Sequence, residues 1–244
     1  PEYQRLTGKQ IGSKYGFIAN GLFQSEEEIA NSATVKGYKA LPGYIKYVDR
    51  NGDGIITAAQ DQGYVGKSAT PKHTGSLNLF GNWKGFDFDL LFSWGLGNVV
   101  ALTGQYTASG SAGTQDNTSF TKPFYHGGNS PTFLVENSWT PEHTNAEFPR
   151  LEITGPSNNN GYSSTFWYRN GNYMRLKTAQ IGYNFPKKWL NPAGIEGLRL
   201  YVEGYNLLTF SGLTKYNIDP ESPAVNNGYY PQQRTYTLGV KLTF

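Results

Sequence analysis

The sequence contains no cysteine and a single methionine, and only 16% of its 244 residues are charged. The missing cysteine excludes disulfide scaffolds, cysteine-based zinc sites and thiol catalysis. Charge of one sign is also scarce: 21 Lys+Arg against 18 Asp+Glu give a formal net charge of +3. The basic residues are dispersed, so the charge does not imply nucleic acid as a partner. Long hydrophobic runs are lacking. The longest is the four residues Val99 to Leu102, whereas a membrane-spanning helix needs about 20. No GxSxG elbow, Walker loop or HExxH motif occurs, so the common signatures of hydrolases and nucleotide enzymes are missing. What is present in abundance is aromatic residues and glycine: 18 Tyr, 14 Phe, 5 Trp and 30 Gly. Low charge with many aromatics argues against simple disorder. The same composition suits proteins that meet a membrane through strands.

The C-terminus carries the clearest pattern. In Thr235 to Phe244, Tyr236, Leu238, Val240, Leu242 and Phe244 alternate with Thr235, Thr237, Gly239, Lys241 and Thr243. Strict period-2 alternation over this length predicts either a transmembrane strand or a half-buried strand of a soluble sheet. The terminal Phe favours the first. In Leu198 to Asn206, apolar Leu198, Leu200 and Val202 alternate with Arg199, Tyr201 and Glu203. A lipid-facing Arg at mid-depth costs roughly 2–4 kcal/mol, so the charges are predicted to point inward and pair across strands. Ala179, Ile181, Tyr183 and Phe185 form one face of Tyr173 to Phe185, but Arg175 and Lys177 share their parity. Those two are predicted at the membrane edge or beyond a bulge that switches the face. Pro186 ends that strand. Gly75 to Trp83 and Phe86 to Trp94 form a hairpin around Lys84-Gly85, where Gly suits a primed turn. Asp87 and Asp89 on the second of these strands are expected as inner polar positions rather than a catalytic pair. A weaker strand is expected over about Gly8 to Ala19.

The connections alternate in length. Lys84-Gly85 is short and Lys187 to Gly197 moderate, while residues 20–74, 95–172 and 210–233 are long and rich in Gly, Asn, Ser and Pro. Soluble domains rarely hold loops this long, whereas outer-membrane barrels pair short periplasmic turns with long extracellular loops. If the last strand ends at the periplasm, parity places all three long segments outside.

One segment has metal-ligand spacing. Asp49, Asn51 and Asp53 put side-chain oxygens at positions 1, 3 and 5 of an EF-hand-like loop, with Gly54 at the turn and the Ile55 carbonyl at position 7. This wraps several oxygens around one point, as Ca²⁺ requires. The twelfth position is Gln60 and Asp61 follows it. Either the loop is expanded by one residue and Asp61 closes it, or the site is weak. The alternative is an Asx-rich turn without metal. His73, His126 and His143 have no metal spacing. Ser25 before Glu26-Glu27-Glu28 predicts the cap of a short helix.

Seven segments together resemble one family: Tyr15–Ile29, Pro42–Ile56, Lys84–Gly97, Ser138–Leu151, Tyr173–Pro186, Leu198–Phe210 and Thr235–Phe244. In that order they are similar to the C-terminal part of the SusC-like (SusC/RagA) TonB-dependent transporters of the Bacteroidota outer membrane. The resemblance implies an all-β fold, an antiparallel transmembrane β-barrel of 22 strands to which residues 1–244 supply about six C-terminal strands. Residues 20–74, with the calcium motif, 95–172 and 210–233 would be extracellular loops. Six strands alone would leave open edges in lipid, and the chain begins at Pro1 without an initiator Met. A longer polypeptide carrying the plug and the other strands is therefore expected. The implied activity is energised import of oligosaccharides or peptides, not catalysis. A SusD-like surface lipoprotein would capture substrate, and TonB–ExbB–ExbD would act through the missing N-terminal part. Tyr106, Tyr125, Trp139 and Trp167 are candidates for stacking on substrate, with packing the more ordinary role for each. Two other readings compete. One is a smaller complete barrel, which needs at least about eight strands. The other is a secreted carbohydrate-binding β-protein with a structural calcium, which leaves the terminal strand and the loop alternation unexplained.

Overall fold

The computed structural model describes residues 1–66, 68–102, 132–151, 160–222 and 232–244. The chain divides into two units, one built mainly from residues 1–69 and 99–169 and the other from 70–98 and the residues after 169.

The first unit is a mosaic of very short strands. β1 (Lys14–Gly16) pairs antiparallel with β6 (Gly63–Gly66), β2 (Ala19–Leu22) antiparallel with β4 (Ile45–Tyr47), and β3 (Thr34–Val35) parallel with β5 (Ile55–Ile56). Its apolar centre holds Phe17, Ile45, Ile56, Leu102, Leu134, Phe148 and Trp167, none more than 1% exposed. Phe17 packs at 4.9 Å from Tyr47 and 5.6 Å from Tyr162, ring centre to ring centre. Much of what reads as loop in the sequence is therefore a packed body. Strands of two to four residues are too short to leave a periodic signal. The short helix Glu26–Ala30 forms as predicted: the Ser25 hydroxyl accepts from Glu28 N–H, and Glu28 in turn accepts from Gln24 N–H and Lys46 Nζ. The strand expected over Gly8 to Ala19 is broken. Gly8 and Gly12 sit at φ of +81° and +77° and turn the chain, and only Lys14–Gly16 is extended before Phe17.

The second unit is one sheet of long strands. β7 (His73–Trp83) and β8 (Phe86–Leu96) form the predicted hairpin, and Lys84 and Gly85 both have positive φ, as a primed two-residue turn requires. β9 (Val99–Ala101) and β10 (Tyr168–Asn170) pair in a separate small sheet built mainly from the first unit; β11 (Tyr173–Asn184), β12 (Gly197–Ser211) and β13 (Thr235–Thr243) continue the second. The sheet order is β13-β12-β11-β8-β7, every neighbour antiparallel. Among the described residues it is an up-and-down meander of five strands, where alternation and the weaker segment before Ala19 led to an expectation of about six.

Register settles the faces. Leu79, Leu90, Ala179, Gly204 and Tyr236 lie in one row across the five strands, and Phe88, Ile181, Val202 and Leu238 in the next. Ile181, Val202, Leu238 and Val240 are all more than half exposed. One face of the sheet is thus a broad apolar surface, exposed among the described residues. The opposite face carries Asp87, Gln180, Arg199 and Glu203. The switch of parity in β11 comes at Lys177, where the register slips between Leu176 and Thr178 against both neighbours. This is the bulge that the misplaced Arg175 and Lys177 called for. At the hairpin end an aromatic chain runs along the sheet. Phe86 lies 4.7 Å from Tyr183, Tyr183 5.1 Å from Phe185, and Phe185 6.3 Å from Trp189. The long connections from β8 to β11 and from β12 to β13 leave and re-enter at the other end, where β7 also begins.

Candidate functional site

Two sets of residues carry chemistry, one in each unit. The first is the loop between β4 and β5. Gly52 and Gly54 adopt φ of +79° and +82°, left-handed turns that curl the chain tightly. Asp49 Oδ1 accepts from Gly52 N–H and Oδ2 from Gly54 N–H, both at 2.7 Å. Asp53 Oδ1 accepts from Ile55 N–H at 2.9 Å, and its Oδ2 accepts from Asn51 Nδ2 at 2.8 Å. The Gly54 N–H, ahead of the other loop amides, holds the Asp49 carboxyl below its ordinary value. Each of these oxygens keeps a second lone pair, so the predicted positions 1, 3 and 5 still have oxygen to offer a cation. Asp61 behaves differently. It is fully buried, and its two oxygens accept from Arg50 N–H at 2.8 Å and Thr57 N–H at 2.7 Å, one at each end of the loop. Among the described residues no three Asp, Glu, His or Cys side chains form a group that could hold a metal ion. Asp49, Asn51, Asp53 and the Ile55 carbonyl lie together in this loop, and Asp61 braces its two ends.

The second set is the charged face of the sheet. Arg199 on β12 reaches over β11 to Asp87 on β8: Nε donates to Oδ2 at 2.9 Å and Nη2 pairs with Oδ1. Nη2 also donates to Gln180 Oε1 at 2.7 Å, and Asn184 Nδ2 to Asp87 Oδ2 at 2.6 Å. The cross-strand pairing predicted for Arg199 is present. It depends on Gly182, where a β-carbon would sit 2.6–2.8 Å from the guanidinium. Gly182→Val is expected to push Arg199 off Asp87 and cost about 1–3 kcal/mol, the worth of a hydrogen bond to a charged group. In an Asp87→Asn background the same change should cost much less. Chemical unfolding of the four proteins of that cycle checks it, and simple additivity would refute the coupling.

At the other end of the same face, Arg175 is 2% exposed. Its Nε donates to Thr209 Oγ1 at 2.9 Å, Nη1 to Glu221 at 2.7 Å, and Nη2 to both oxygens of Asp219 at 2.8 Å. Lys177 and the Tyr173 hydroxyl add contacts to Glu221 at 3.0 and 3.2 Å. Sequence reading flagged Arg175 as out of phase but missed its partners. They lie 44 and 46 residues away in a segment without periodicity.

Of the four aromatic candidates, Tyr106 and Tyr125 lie outside the described residues. Trp167 is fully buried with its Nε1 donating to the Asn160 carbonyl at 2.7 Å. Trp139 is 6% exposed and its Nε1 donates to Gln24 Oε1 at 3.0 Å. Both tryptophans occupy the packing role, and neither turns an open ring face outward.

No family model matches the chain. Similarity to whole proteins is extensive. TonB-dependent receptor P3 of Formosa agariphila is 32% identical over 251 aligned residues, covering 97% of this chain and 22% of the receptor. Receptor P26 of the same organism is 29% identical over 98% of the chain and 23% of its own length. Among solved structures, that of the RagAB peptide transporter superposes with a TM-score of 0.62 at 22% identity, over 95% of this chain and 23% of that one. The RagAB peptide importer in its closed-closed state gives 0.60 at 23% identity. The chain thus spans about a quarter of the length of the relatives it matches.

Proposed function

From a chain that belongs to the TonB-dependent receptors, and whose fold is that of the SusC-like RagAB structures, we propose a role as C-terminal wall of an outer-membrane importer. The five-stranded meander is the observation that carries this reading: one face exposed and apolar, the other charged, and both long connections between its strands at one end. Neither edge strand can end in lipid with unpaired amides, so β7 and β13 pair with further strands of a closed barrel, 22 in number by the family resemblance. The apolar face meets outer-membrane lipid, and the aromatic chain at the hairpin end marks the periplasmic interface. The long segments face outward, where a SusD-like lipoprotein would deliver oligosaccharide or peptide. TonB–ExbB–ExbD would supply the energy through the plug. The work is import, with no covalent step assigned to this chain. The competing secreted carbohydrate-binding reading leaves so large an exposed apolar face unexplained.

Uptake is the test. Cells lacking the full-length receptor should lose accumulation of one class of labelled oligosaccharide or peptide, and an uncoupler should abolish it in cells that carry the receptor. Uptake unaffected by deletion across both classes would overturn the reading.

We further propose that the Asp49–Ile55 loop binds one structural Ca²⁺ through Asp49, Asn51, Asp53 and the Ile55 carbonyl, with water completing the six to eight oxygens the ion takes. Asp49→Ala and Asp53→Ala are each expected to lower the calcium content of the purified full-length receptor by one equivalent. An unchanged content by metal analysis would refute the site. Asp61→Asn should leave the stoichiometry intact while loosening the loop, because Asp61 is fully buried on the Arg50 and Thr57 amides, whereas the four proposed donors lie on the exposed part of the loop.

A further inference from the structure

The charged cluster around Arg175 does more than neutralise a misplaced arginine. Arg175, Tyr173 and Thr209 belong to the inner, polar face of the sheet, as their register with Ser93, Gly95 and Ser211 shows. Their acidic partners, Asp219 and Glu221, are not on any strand. They lie in the connection that follows β12, which begins at Gly212 and includes the single turn Thr214–Tyr216. A connection can reach inner-face side chains only by folding back over that face. Its own apolar residues are put away as it does so: Leu213 is fully buried, Ile218 3% exposed and Tyr216 4%. Ser93, opposite Arg175 on β8, has its hydroxyl oxygen buried as well. Gly95 has no side chain to obstruct the Tyr173 ring, which lies where a β-carbon at 95 would come within 2.6 Å of it. The bulge at Lys177 completes the arrangement by letting Arg175 and Lys177 both reach Glu221.

We infer that residues 212–222 form a fixed strap across the inner face at the loop end of the wall, clamped by Arg175, Lys177 and Tyr173 on Asp219 and Glu221. In the importer proposed above, on which the placement inside a barrel rests, the strap narrows the outer mouth on this side and so limits what passes along β8 and β11. Arg175 is then a positioning residue. Its guanidinium serves three partners at once, Thr209, Asp219 and Glu221, a fork that a lysine cannot reproduce.

Accessibility under the strap tests this without reference to transport. In the full-length receptor in outer-membrane vesicles, Ser93→Cys should react slowly with a bulky water-soluble maleimide. Ser76→Cys, in the same register row but on β7, should react fast. Releasing the strap with Asp219→Asn plus Glu221→Gln, which keeps side-chain volume, should speed labelling at position 93 by about tenfold or more and leave position 76 unchanged. Arg175→Lys should behave like the released form. Equal labelling of positions 93 and 76 in the unreleased receptor, or no acceleration on release, overturns the strap. If position 93 responds as expected while deletion of the receptor changes no uptake, the strap stands and the importer reading fails.

Discussion

Replacing Arg175 by alanine should destabilise the sheet and its outer connection by about 3–5 kcal/mol, because it leaves two acids in a buried site with no cation of comparable reach. Asp219 and Glu221 are 23% and 14% exposed at their side chains, and Arg175 is 3% exposed. Water therefore screens the group poorly, and removing one partner costs more than the pair contributes. Lys177 cannot compensate. Its side chain is 39% exposed and it contacts Glu221 alone. The loss should be visible as a lower denaturant midpoint of the receptor folded into lipid vesicles. An additional Asp219→Asn, Glu221→Gln change should recover much of it, since an uncharged pair is far cheaper to bury than two orphaned carboxylates. Arg175→Ala with an unchanged midpoint would mean that the cluster is wetter than its geometry indicates.

The sequence pattern revealed the sheet and concealed the mosaic, for one physical reason. A strand with one face in an apolar medium must alternate over about ten residues; β8 and β13 do so over 11 and 9, and β12 does so until Asn206, where the register slips. The bulge was one of two readings open for Arg175 and Lys177 on an apolar parity, the other being the membrane edge, and the register slip decides for it. The first unit uses strands of two to four residues closed by aromatic packing, and neither leaves a period. Trp167 and Trp139 stood as loop aromatics with packing their more ordinary role, and packing is the role they take. The acidic loop was legible in its spacing and its glycines. The hold of Asp61 on the backbone amides of Arg50 and Thr57 was not, because it depends on a turn of the chain that spacing does not encode.

The assignment of the two faces makes the sharpest demand on the membrane reading. Val202 and Thr237 lie on neighbouring strands, one register step apart, with opposite faces: Val202 sits opposite Leu238, and Thr237 opposite Glu203. Val202 is 55% exposed in a row with Phe88, Ile181 and Leu238. Arginine there would place a guanidinium among lipid tails and cost roughly 2–4 kcal/mol near the bilayer midplane. Arginine at 237 would stand beside the Glu203 carboxylate on the inner face, where a cross-strand pair of opposite charge is mildly favourable. Val202→Arg should therefore lower the unfolding midpoint of the receptor in phospholipid vesicles and reduce its assembled fraction in cells, while Thr237→Arg leaves both near the parent values. The contrast cancels the effect of adding one charge to the same barrel at nearly the same depth, so only the face differs. If the two variants fall together, the exposed apolar surface of the sheet does not face lipid. If Thr237→Arg is the one that fails, the faces are reversed, and Arg199 and Asp87 would have to lie in hydrocarbon, which their charge forbids.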